Sequence, residues 1–289
     1  MRYIFLRFPD GKHKAVTLSY DDGDVYDIKI SDILGKYGLK CTFNIVSRQM
    51  REQGYELRMS REDVKKYILD RGHEVAVHGA HHRAEGKQRA IVGIRDVLDC
   101  RMDLEAAFDT IIRGMAYPDT GIREFTNGSA DYPTVKQYLT DLDIAYARTL
   151  GNDNNSFAMP TDWHAWMPTA HHTNPQIFEY IEEFNSIVDS DTVYGARRQP
   201  RLFYMWGHGF EFERNNDWSR LEEICRALGG REDVWYATNI EIYDYVKAYE
   251  SLIYSADETK VYNPTVTTVW MIVDGKNYKI EPGQTICIG

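Results

Sequence analysis

The chain has 289 residues, a formal net charge of −10 at pH 7, and aromatic residues at 13% of its positions. This length fits one large domain, or one domain with a small appendage. The acidic balance excludes the basic surface that nucleic acid and anionic membranes require, and it disfavours a strongly polyanionic substrate. The four cysteines are scattered and form no C-x-x-C pair, so the sequence predicts neither a zinc knuckle nor a disulfide framework.

The amino-terminal segment, residues 1–9, has no long apolar stretch because Arg7 interrupts it. It therefore lacks the pattern of a signal peptide. No other apolar run approaches the length of a membrane span. These observations predict a cytoplasmic protein without membrane insertion, and they give no indication of an oligomeric state.

Strand-like and helix-like segments alternate along most of the chain. The predicted strands are residues 14–20, 40–46, 73–78, 112–117, 143–149, 200–207 and 232–237. The predicted helices are residues 60–71, 87–110, 130–141, 174–188, 217–228 and 239–250. The first of these helices is the best marked, because Ser60 can cap it, Asp63 occupies the reciprocal position, and Gly72 follows its end. Such alternation predicts parallel β/α units, arranged as a barrel or as a doubly wound sheet.

The last part of the chain has a different pattern. Two β-rich runs, at residues 265–273 and 278–280, flank Asp274-Gly275, a pair that favours a two-residue hairpin turn. We therefore divide the chain into a main domain at residues 1–255 and a small β appendage at residues 256–289. The appendage is expected to have a structural role.

Two motifs at strand ends carry the chemistry. Asp21-Asp22-Gly23 follows the first predicted strand, while His78 ends the third and His82 lies four residues later. The carboxyl ends of parallel strands meet on one face, where α/β proteins bind their ligands. Together the motifs offer Asp, His and His to a divalent metal and leave one carboxylate as a base. This combination predicts a hydrolytic metal site rather than a structural one.

Each motif alone has a simpler interpretation. Asp and Gly are common turn residues, so the first motif could be only a strand that ends in a turn. The histidines could be solvated residues of a loop. If residues 78–82 coil helically, His78 and His82 share a face and His81 points elsewhere, so His81 is interpreted as a bystander.

Three ordered segments resemble the polysaccharide deacetylase superfamily, the carbohydrate esterases of family four with a NodB-homology domain. Residues 16–23 are similar to the family's first motif, and residues 41–46 to the strand that follows it. Residues 60–82 are similar to its helix, its Gly-His-Glu turn and its histidine motif. The resemblance covers most of residues 14–250, within a catalytic domain at residues 1–255. It implies a distorted (β/α)7-type barrel and metal-dependent removal of acetyl groups from sugars.

The roles of the family transfer to the matching positions. The resemblance implies that Asp22, His78 and His82 hold the metal, that Asp21 is the general base, and that His208 is the general acid. A donor set of two histidines and one aspartate favours zinc, and it also suits cobalt, nickel or manganese.

The third motif departs from the family pattern. The family has an Arg two residues before a Pro, where this chain has Ala116 before Pro118. The backbone N–H of Asp119 corresponds to the oxyanion donor of the family. Arg148 lies near the end of the next predicted strand, and its planar guanidinium can reach a carboxylate in bidentate fashion. We predict that Arg148 replaces the missing Arg and pairs with Asp21.

The fourth motif of the family, an Asp-Trp pair, is matched by Asp162-Trp163, and Asp162 is expected to orient His208. The surrounding spacing matches the family less faithfully than that of the other motifs. A structural loop aspartate is the simpler interpretation of Asp162.

The aromatic residues fit either core packing or platforms for the flat faces of sugars. Tyr117, Trp163 and Trp206 are the candidate substrate contacts. Three further histidines could contact substrate or could be solvated loop residues, and none is assigned to the metal: His164, His171 and His172.

The predicted function is a metal-dependent N-deacetylase for an N-acetylated sugar, oligosaccharide or sugar conjugate. An O-acetyl esterase or another amidase could use the same machinery. A metal-containing carbohydrate-binding protein without turnover is the alternative from another class. The presence of both Asp21 and His208 argues against that last alternative.

Overall fold

The computed structural model describes residues 2–151, 157–189 and 198–288. The strands are β1 (Ile4–Arg7), β2 (Lys14–Asp22), β3 (Thr42–Ile45), β4 (Glu74–Val77), β5 (Gly114–Ala116), β6 (Tyr146–Arg148), β7 (Ala170–His171), β8 (Arg201–His208), β9 (Val234–Tyr236), β10 (Ile253–Tyr254), β11 (Lys260–Tyr262), β12 (Val269–Val273), β13 (Lys276–Ile280) and β14 (Thr285–Cys287). The α-helices are α1 (Asp27–Lys36), α2 (Arg61–Tyr67), α3 (Ala90–Phe108), α4 (Tyr132–Asp141), α5 (Ile177–Ser186), α6 (Gly209–Arg214), α7 (Trp218–Leu228) and α8 (Asn239–Glu250).

The main sheet is parallel and has the strand order β6-β5-β4-β3-β2-β8-β7. β9 pairs with the first three residues of β2, at the amino-terminal end of the sheet. The sheet curls into a half-barrel, and a bridge between Arg148 and Trp166 continues it beyond β6. The predicted α/β class and the distorted (β/α)7-type barrel are confirmed.

Alternation along β2 directs its side chains to two different cores. Val16, Leu18 and Tyr20 pack into the cluster under the outer helices. Ala15 belongs to the cluster inside the curled sheet. Because successive side chains of a strand point to opposite faces, Asp21 lies on the inner side with Ala15. The alternation of the strand thus carries Asp21 into the mouth of the half-barrel.

The predicted cap of α2 is present in the structure. The hydroxyl of Ser60 accepts a hydrogen bond from the N–H of Asp63 at 3.1 Å, and the carboxylate of Asp63 accepts one from the N–H of Ser60 at 3.0 Å. Gly72 ends the segment with a φ of 76°, a left-handed conformation that glycine adopts without a steric penalty. This local chemistry delivers the chain into β4, which carries His78 at its end.

Five elements within residues 1–255 have no counterpart in the sequence prediction: β1, α1, β7, α6 and β10. β7 has two residues and α6 has six, which is too short for a hydrophobic period to be recognised. α1 does carry an apolar face, with Ile30, Ile33 and Leu34 buried at helical spacing. The apolar spacing that forms this face is visible in the sequence of α1.

Helix α8 closes the amino-terminal end of the half-barrel over a buried carboxylate, Glu74. The backbone N–H of Ile240 donates to Glu74 Oε2 at 2.9 Å, the hydroxyl of Thr42 donates to the same oxygen at 2.7 Å, and the hydroxyl of Tyr146 donates to Oε1 at 2.7 Å. Burial raises the pKa of Glu74 to about 7 in spite of these three donors. The candidate site residues Asp21, Asp22 and His208 lie at the opposite, carboxyl end of the strands.

The tail forms the predicted hairpin from β12 and β13. Its turn residues, Asp274 and Gly275, have φ angles of 47° and 93°, as the primed turns of two-residue hairpins require. β1 pairs with the outer side of β12, so the amino-terminal strand joins this sheet. β10, β11 and β14 form a second small sheet. The division at about residue 255 stays a prediction.

Within the described ranges, no helix has the length and apolar character needed to cross a bilayer.

Candidate metal centre and active site

Asp21 and Asp22 end β2 with different orientations. Asp21 continues the inward alternation and is 2% exposed. Asp22 has a φ of 85°, a conformation that costs free energy for a residue with a side chain and that often occurs at functional sites. Gly23 follows with a φ of 70°, close against the side chain of Ile45. This turn sends two adjacent carboxylates toward different partners.

Asp21 is fixed on both of its carboxylate oxygens. Arg148 donates from Nη2 to Oδ2, and Asn44 donates from Nδ2 to Oδ1 at 2.8 Å. Nε2 of His208 lies 3.9 Å from Oδ2. Burial alone would raise the pKa of Asp21, but Arg148, followed by His78 and His208, holds it below its ordinary value. Asp21 is therefore an oriented, ionised carboxylate, and the predicted Arg148–Asp21 pair is confirmed as a contact.

Asp22, His78 and His82 converge as the sequence predicts. Nε2 of His82 lies 3.2 Å and Nε2 of His78 lies 3.5 Å from Oδ1 of Asp22. That oxygen is buried and has no hydrogen-bond partner. His78 Nδ1 lies 2.9 Å from the carbonyl oxygen of Ala116 and must be the protonated nitrogen, because a carbonyl only accepts. The lone pair of His78 Nε2 therefore faces the lone pairs of a carboxylate.

Such an arrangement is repulsive unless a cation lies between the groups. Ligand atoms that bind a tetrahedral zinc at about 2.0–2.2 Å lie about 3.3–3.6 Å from one another. The separations around Asp22 Oδ1 match this range closely. Burial also lowers the pKa of His78 to about 4, which keeps its imidazole neutral, as a metal ligand must be. The residues present fit a divalent metal.

Arg58 is a further partner of Asp22 that the sequence did not reveal. Its Nη1 lies 3.1 Å from Oδ2, the oxygen that does not face the histidines. The segment that carries Arg58 also pairs with the turn after β2 through an Asp24–Arg58 bridge. The guanidinium fixes the carboxylate so that Oδ1 points toward His78 and His82. Partners of this kind orient metal ligands.

His81 has its own partner outside this cluster. Its Nδ1 lies 2.7 Å from Oδ1 of Asp96, and its backbone N–H donates to the same oxygen at 3.1 Å. The interpretation of His81 as a bystander agrees with this placement.

The position of Arg148 explains how Ala116 is tolerated. β5 and β6 are parallel neighbours, and Ala116 and Arg148 are register partners. Their side chains therefore start at the same height, on the same face of the sheet, about 4.8 Å apart. The guanidinium carbon of Arg148 also lies 4.4 Å from the centre of the Trp206 ring. The neighbouring strand thus supplies the cation that the third motif lacks.

The expectation that Asp162 orients His208 is wrong. The carboxylate of Asp162 accepts hydrogen bonds from Tyr132 at 2.7 Å and from Lys136 at 2.8 Å, both on α4. Glu211, in the first turn of α6, lies beside His208 instead, with Oε2 3.5 Å from Nδ1. The substitution is possible because α6 begins directly at the end of β8.

Two of the three aromatic candidates lie in the core rather than at the site. Trp163 packs edge to face against Trp166 and Tyr243, with ring centroids 4.9 and 5.0 Å apart, in the inner cluster that α8 covers. The ring of Tyr117 is 2% exposed, and its hydroxyl donates to a backbone carbonyl. Trp206 does line the site, beside Arg148. Its Nε1 is buried without a hydrogen-bond partner.

Three histidines left unassigned by the sequence have defined places. His164 is 9% exposed and binds the carbonyl oxygen of Ile144 through Nε2 at 2.7 Å, so it is a structural residue. His171 and His172 lie against Glu211, with each Nε2 3.1 Å from Oε2. His172 is fully buried. The alternative of solvated loop residues is wrong for His164 and His172.

Three side chains surround Asp21: those of Arg148, Asn44 and His208. His208 is the most exposed of them, with 23% of its side chain accessible. Burial would lower its pKa, but the carboxylates of Glu211, Asp21 and Asp22 raise it above the ordinary value. Asp119, beyond β5, has a φ of 52°. An open cavity of about 410 Å³ lies between Asp119 and His82, with Lys87 and Arg89 also in its wall. A ligand has room there beside His82, which is the one candidate metal ligand in the lining of this cavity.

A curled parallel sheet with an Asp-Asp-Gly motif and a histidine motif at its carboxyl end is the arrangement that the sequence resemblance to the polysaccharide deacetylases implies. Residues 9–134 match the family described as Polysaccharide deacetylase. This match confirms the resemblance to the family over a segment that includes Asp21, Asp22, His78 and His82. No curated protein matches the chain.

Solved structures share the fold at low sequence identity. A protein from Mycobacterium smegmatis assigned as a polysaccharide deacetylase is 17% identical, with a TM-score of 0.57, and the match covers 85% of this chain and 94% of that one. A protein from Pseudomonas aeruginosa with the same assignment is 11% identical, also with a TM-score of 0.57, and the match covers 82% and 92%. The Xyl-CE4 domain of a multidomain xylanase from the hindgut metagenome of Trinervitermes trinervoides is 14% identical, with a TM-score of 0.51 and the same coverage.

Proposed function

We propose that this protein is a metal-dependent hydrolase that removes N-acetyl groups from an N-acetylated sugar, oligosaccharide or sugar conjugate. The observation that carries the proposal is the convergence of Asp22, His78 and His82 beside an independently fixed carboxylate, Asp21. A purely structural metal site would have no reason to keep an ionised, oriented carboxylate next to it. A hydrolytic site needs one as a base.

Asp22, His78 and His82 would hold the metal, most favourably zinc. Cobalt, nickel or manganese suits the same donors. A divalent metal there would supply Lewis acidity, which polarises an acyl carbonyl and lowers the pKa of a water molecule. Arg58 supports this role by occupying the other oxygen of Asp22.

Asp21 would accept the proton of the attacking water. Two features support this role for the carboxylate. Arg148 and Asn44 hold both of its oxygens, so that it is oriented before substrate arrives, and the pKa of Asp21 lies below its ordinary value, so that it is ionised at neutral pH. Its orientation also opposes rotation toward the metal as an additional ligand.

The remaining two groups would act on the two ends of the breaking bond. The backbone N–H of Asp119 would donate to the developing oxyanion, a contribution worth about 3–4 kcal/mol when such a donor is aligned in advance. His208 would protonate the departing nitrogen, because an amine leaves poorly as an anion. The raised pKa of His208 supports this role, since it favours the protonated imidazole near neutral pH.

Acetate release by metal-loaded protein tests the proposal. Matched N-acetylated and O-acetylated sugars are assayed side by side, with metal-loaded Asp21→Asn as the control that keeps the shape of the site without the base. We expect release from the N-acetylated set. Release only from O-acetylated sugars would identify an esterase instead. Binding of sugar without any release would identify a non-catalytic binding protein.

A further inference from the structure

A second cluster of metal-ligand side chains lies on the other side of His208. His171 ends β7, His172 follows it, and Glu211 lies in the first turn of α6. Oε2 of Glu211 is 3.1 Å from Nε2 of His171 and 3.1 Å from Nε2 of His172. The three donor atoms lie within 4.8 Å of one another, as do those of Asp22, His78 and His82.

The contact between His172 and Glu211 does not have the geometry of a hydrogen bond. Both ring nitrogens of His172 are buried and without a hydrogen-bond partner, in spite of the short distance to Glu211. The ring nitrogens of His172 are therefore not aligned with the carboxylate oxygen of Glu211. Side chains whose donor atoms are close but aimed past one another are typical of ligands that point at a common centre. Asp22 Oδ1 shows the same combination of close imidazoles and no hydrogen bond.

The fold makes a specific place for the buried imidazole of His172. Its ring stacks on Phe212 with centroids 4.1 Å apart and on Tyr20 at 5.8 Å. A Cβ atom at Gly207 would lie 1.9 Å from Nδ1 of His172, so only glycine fits there. These contacts hold Nε2 toward Glu211. A buried polar ring with no partner is costly, which favours a ligand for it.

His171 presents the matching nitrogen. Its Nδ1 lies 2.7 Å from the hydroxyl of Thr173 and accepts a hydrogen bond from the backbone N–H of Thr173 at 3.2 Å. Its Nε2 faces Oε2 of Glu211 at 3.1 Å. The ring remains partly accessible, with 20% of the side chain exposed, which gives an ion a route of entry.

The charge of Glu211 also calls for a cation. Among the described residues, the ion-pair partners found for its carboxylate are imidazoles, and no lysine or arginine is among them. Arg220, on the neighbouring helix α7, is held by the backbone carbonyls of His172 and Asn174. A carboxylate whose side chain is only 15% exposed, with imidazoles as its ion-pair partners, favours a further cation beside it.

We propose that His171, His172 and Glu211 form a second binding site for a divalent cation, with zinc as the best match to two imidazoles and one carboxylate. The cation would neutralise Glu211 and fix it behind His208, whose Nδ1 lies 3.5 Å from the same oxygen. The site goes beyond the proposed deacetylation. Its occupancy can be measured whether or not the protein releases acetate.

Metal counting tests the second site. The protein is stripped with a chelator, reloaded with Zn²⁺ and freed of excess ion, and zinc per chain is measured by elemental analysis. We expect two ions in the unaltered protein and one in Glu211→Gln and in His171→Gln. Glu213→Gln is the matched control, because Glu213 lies on the same helix and binds the indole of Trp218 instead. This variant should keep both ions.

An Asp22→Asn variant separates the two sites, since it should lose the first ion and retain the second. The proposal is overturned if the unaltered protein saturates at one ion and Asp22→Asn holds none. It is also overturned if Glu211→Gln and His171→Gln both keep two ions. Circular dichroism identifies a variant that fails to fold. If Glu211→Gln fails to fold, the zinc content of His171→Gln, a substitution at a partly exposed position, tests the second site instead.

Discussion

Replacing Arg148 with Met removes the cation from a buried ion pair while keeping a long apolar side chain. Arg148 is fully buried, and the side chain of its partner Asp21 is 3% exposed. The variant would leave the Asp21 carboxylate with the hydrogen bond from Asn44 and without the guanidinium as its countercharge. Removing one partner of a buried pair costs about 3–5 kcal/mol, so the free energy of unfolding should fall by this amount.

Urea denaturation at fixed metal concentration measures that loss. Turnover should fall as well, because the carboxylate loses the guanidinium that orients it, whereas metal content should stay unchanged. Arg113→Met is the matched control. Arg113 pairs with Asp244 at 3.0 Å, but both side chains are more than a third exposed. Breaking an exposed pair of this kind costs less than about 1 kcal/mol.

A double variant tests the cause of the loss. In Asp21→Asn with Arg148→Met, the buried negative charge is removed together with its partner. Because the uncompensated charge dominates the cost, the double variant should be more stable than Arg148→Met alone. A loss below about 1 kcal/mol in Arg148→Met, or a double variant that is less stable still, would refute the reasoning.

Three further predictions follow from the same structure. His78→Ala and His82→Ala should each lose the ion of the first site, as measured by elemental analysis. His81→Ala is the control and should keep this ion, because His81 binds Asp96 instead. Asp21→Asn should reduce turnover by at least about a hundredfold with metal retained; near-normal turnover would assign the base elsewhere. Glu74 has a pKa near 7 against an ordinary value of 4.5, so the stability that its neutral form contributes is complete below pH 4.5 and is lost as the pH rises through 7. Urea titrations should therefore show a decline of at most about 3 kcal/mol over that interval, which Glu74→Gln should flatten; an equal decline in the variant would exclude Glu74 as its source.

The strands of the main sheet other than β7 could be predicted because each carries a compact run of β-forming residues and most are separated by a helix. The cap at Ser60 could be predicted because its chemistry is local to four residues. β7 could not, since two residues form a strand only when β8 supplies the hydrogen bonds. The pairing of β1 with β12 joins segments more than 260 residues apart in sequence, and no local pattern indicates it.

The site could be predicted wherever a motif or a strand end determined the position of a side chain. Asp22, His78 and His82 meet because parallel strands deliver their ends to one face. Trp163 was misplaced because an aromatic residue in a loop has the same sequence signal whether it packs in a core or contacts a ligand. Arg58 was missed because it comes from a loop, and only the tertiary fold brings it to Asp22.

The departures from the family pattern have a common physical basis. At the mouth of a curled parallel sheet, neighbouring strands end at similar heights, so a charge lost from one strand can be supplied by the next. Arg148 stands one strand away from Ala116 and reaches Asp21 from there. Glu211 reaches His208 from α6, the helix that follows directly after β8, the strand that ends at His208. What the site requires is a charge at a given place rather than a residue at a given position in a motif. A missing motif residue in such a barrel is therefore a reason to inspect the ends of the adjacent strands before concluding that the site has degenerated.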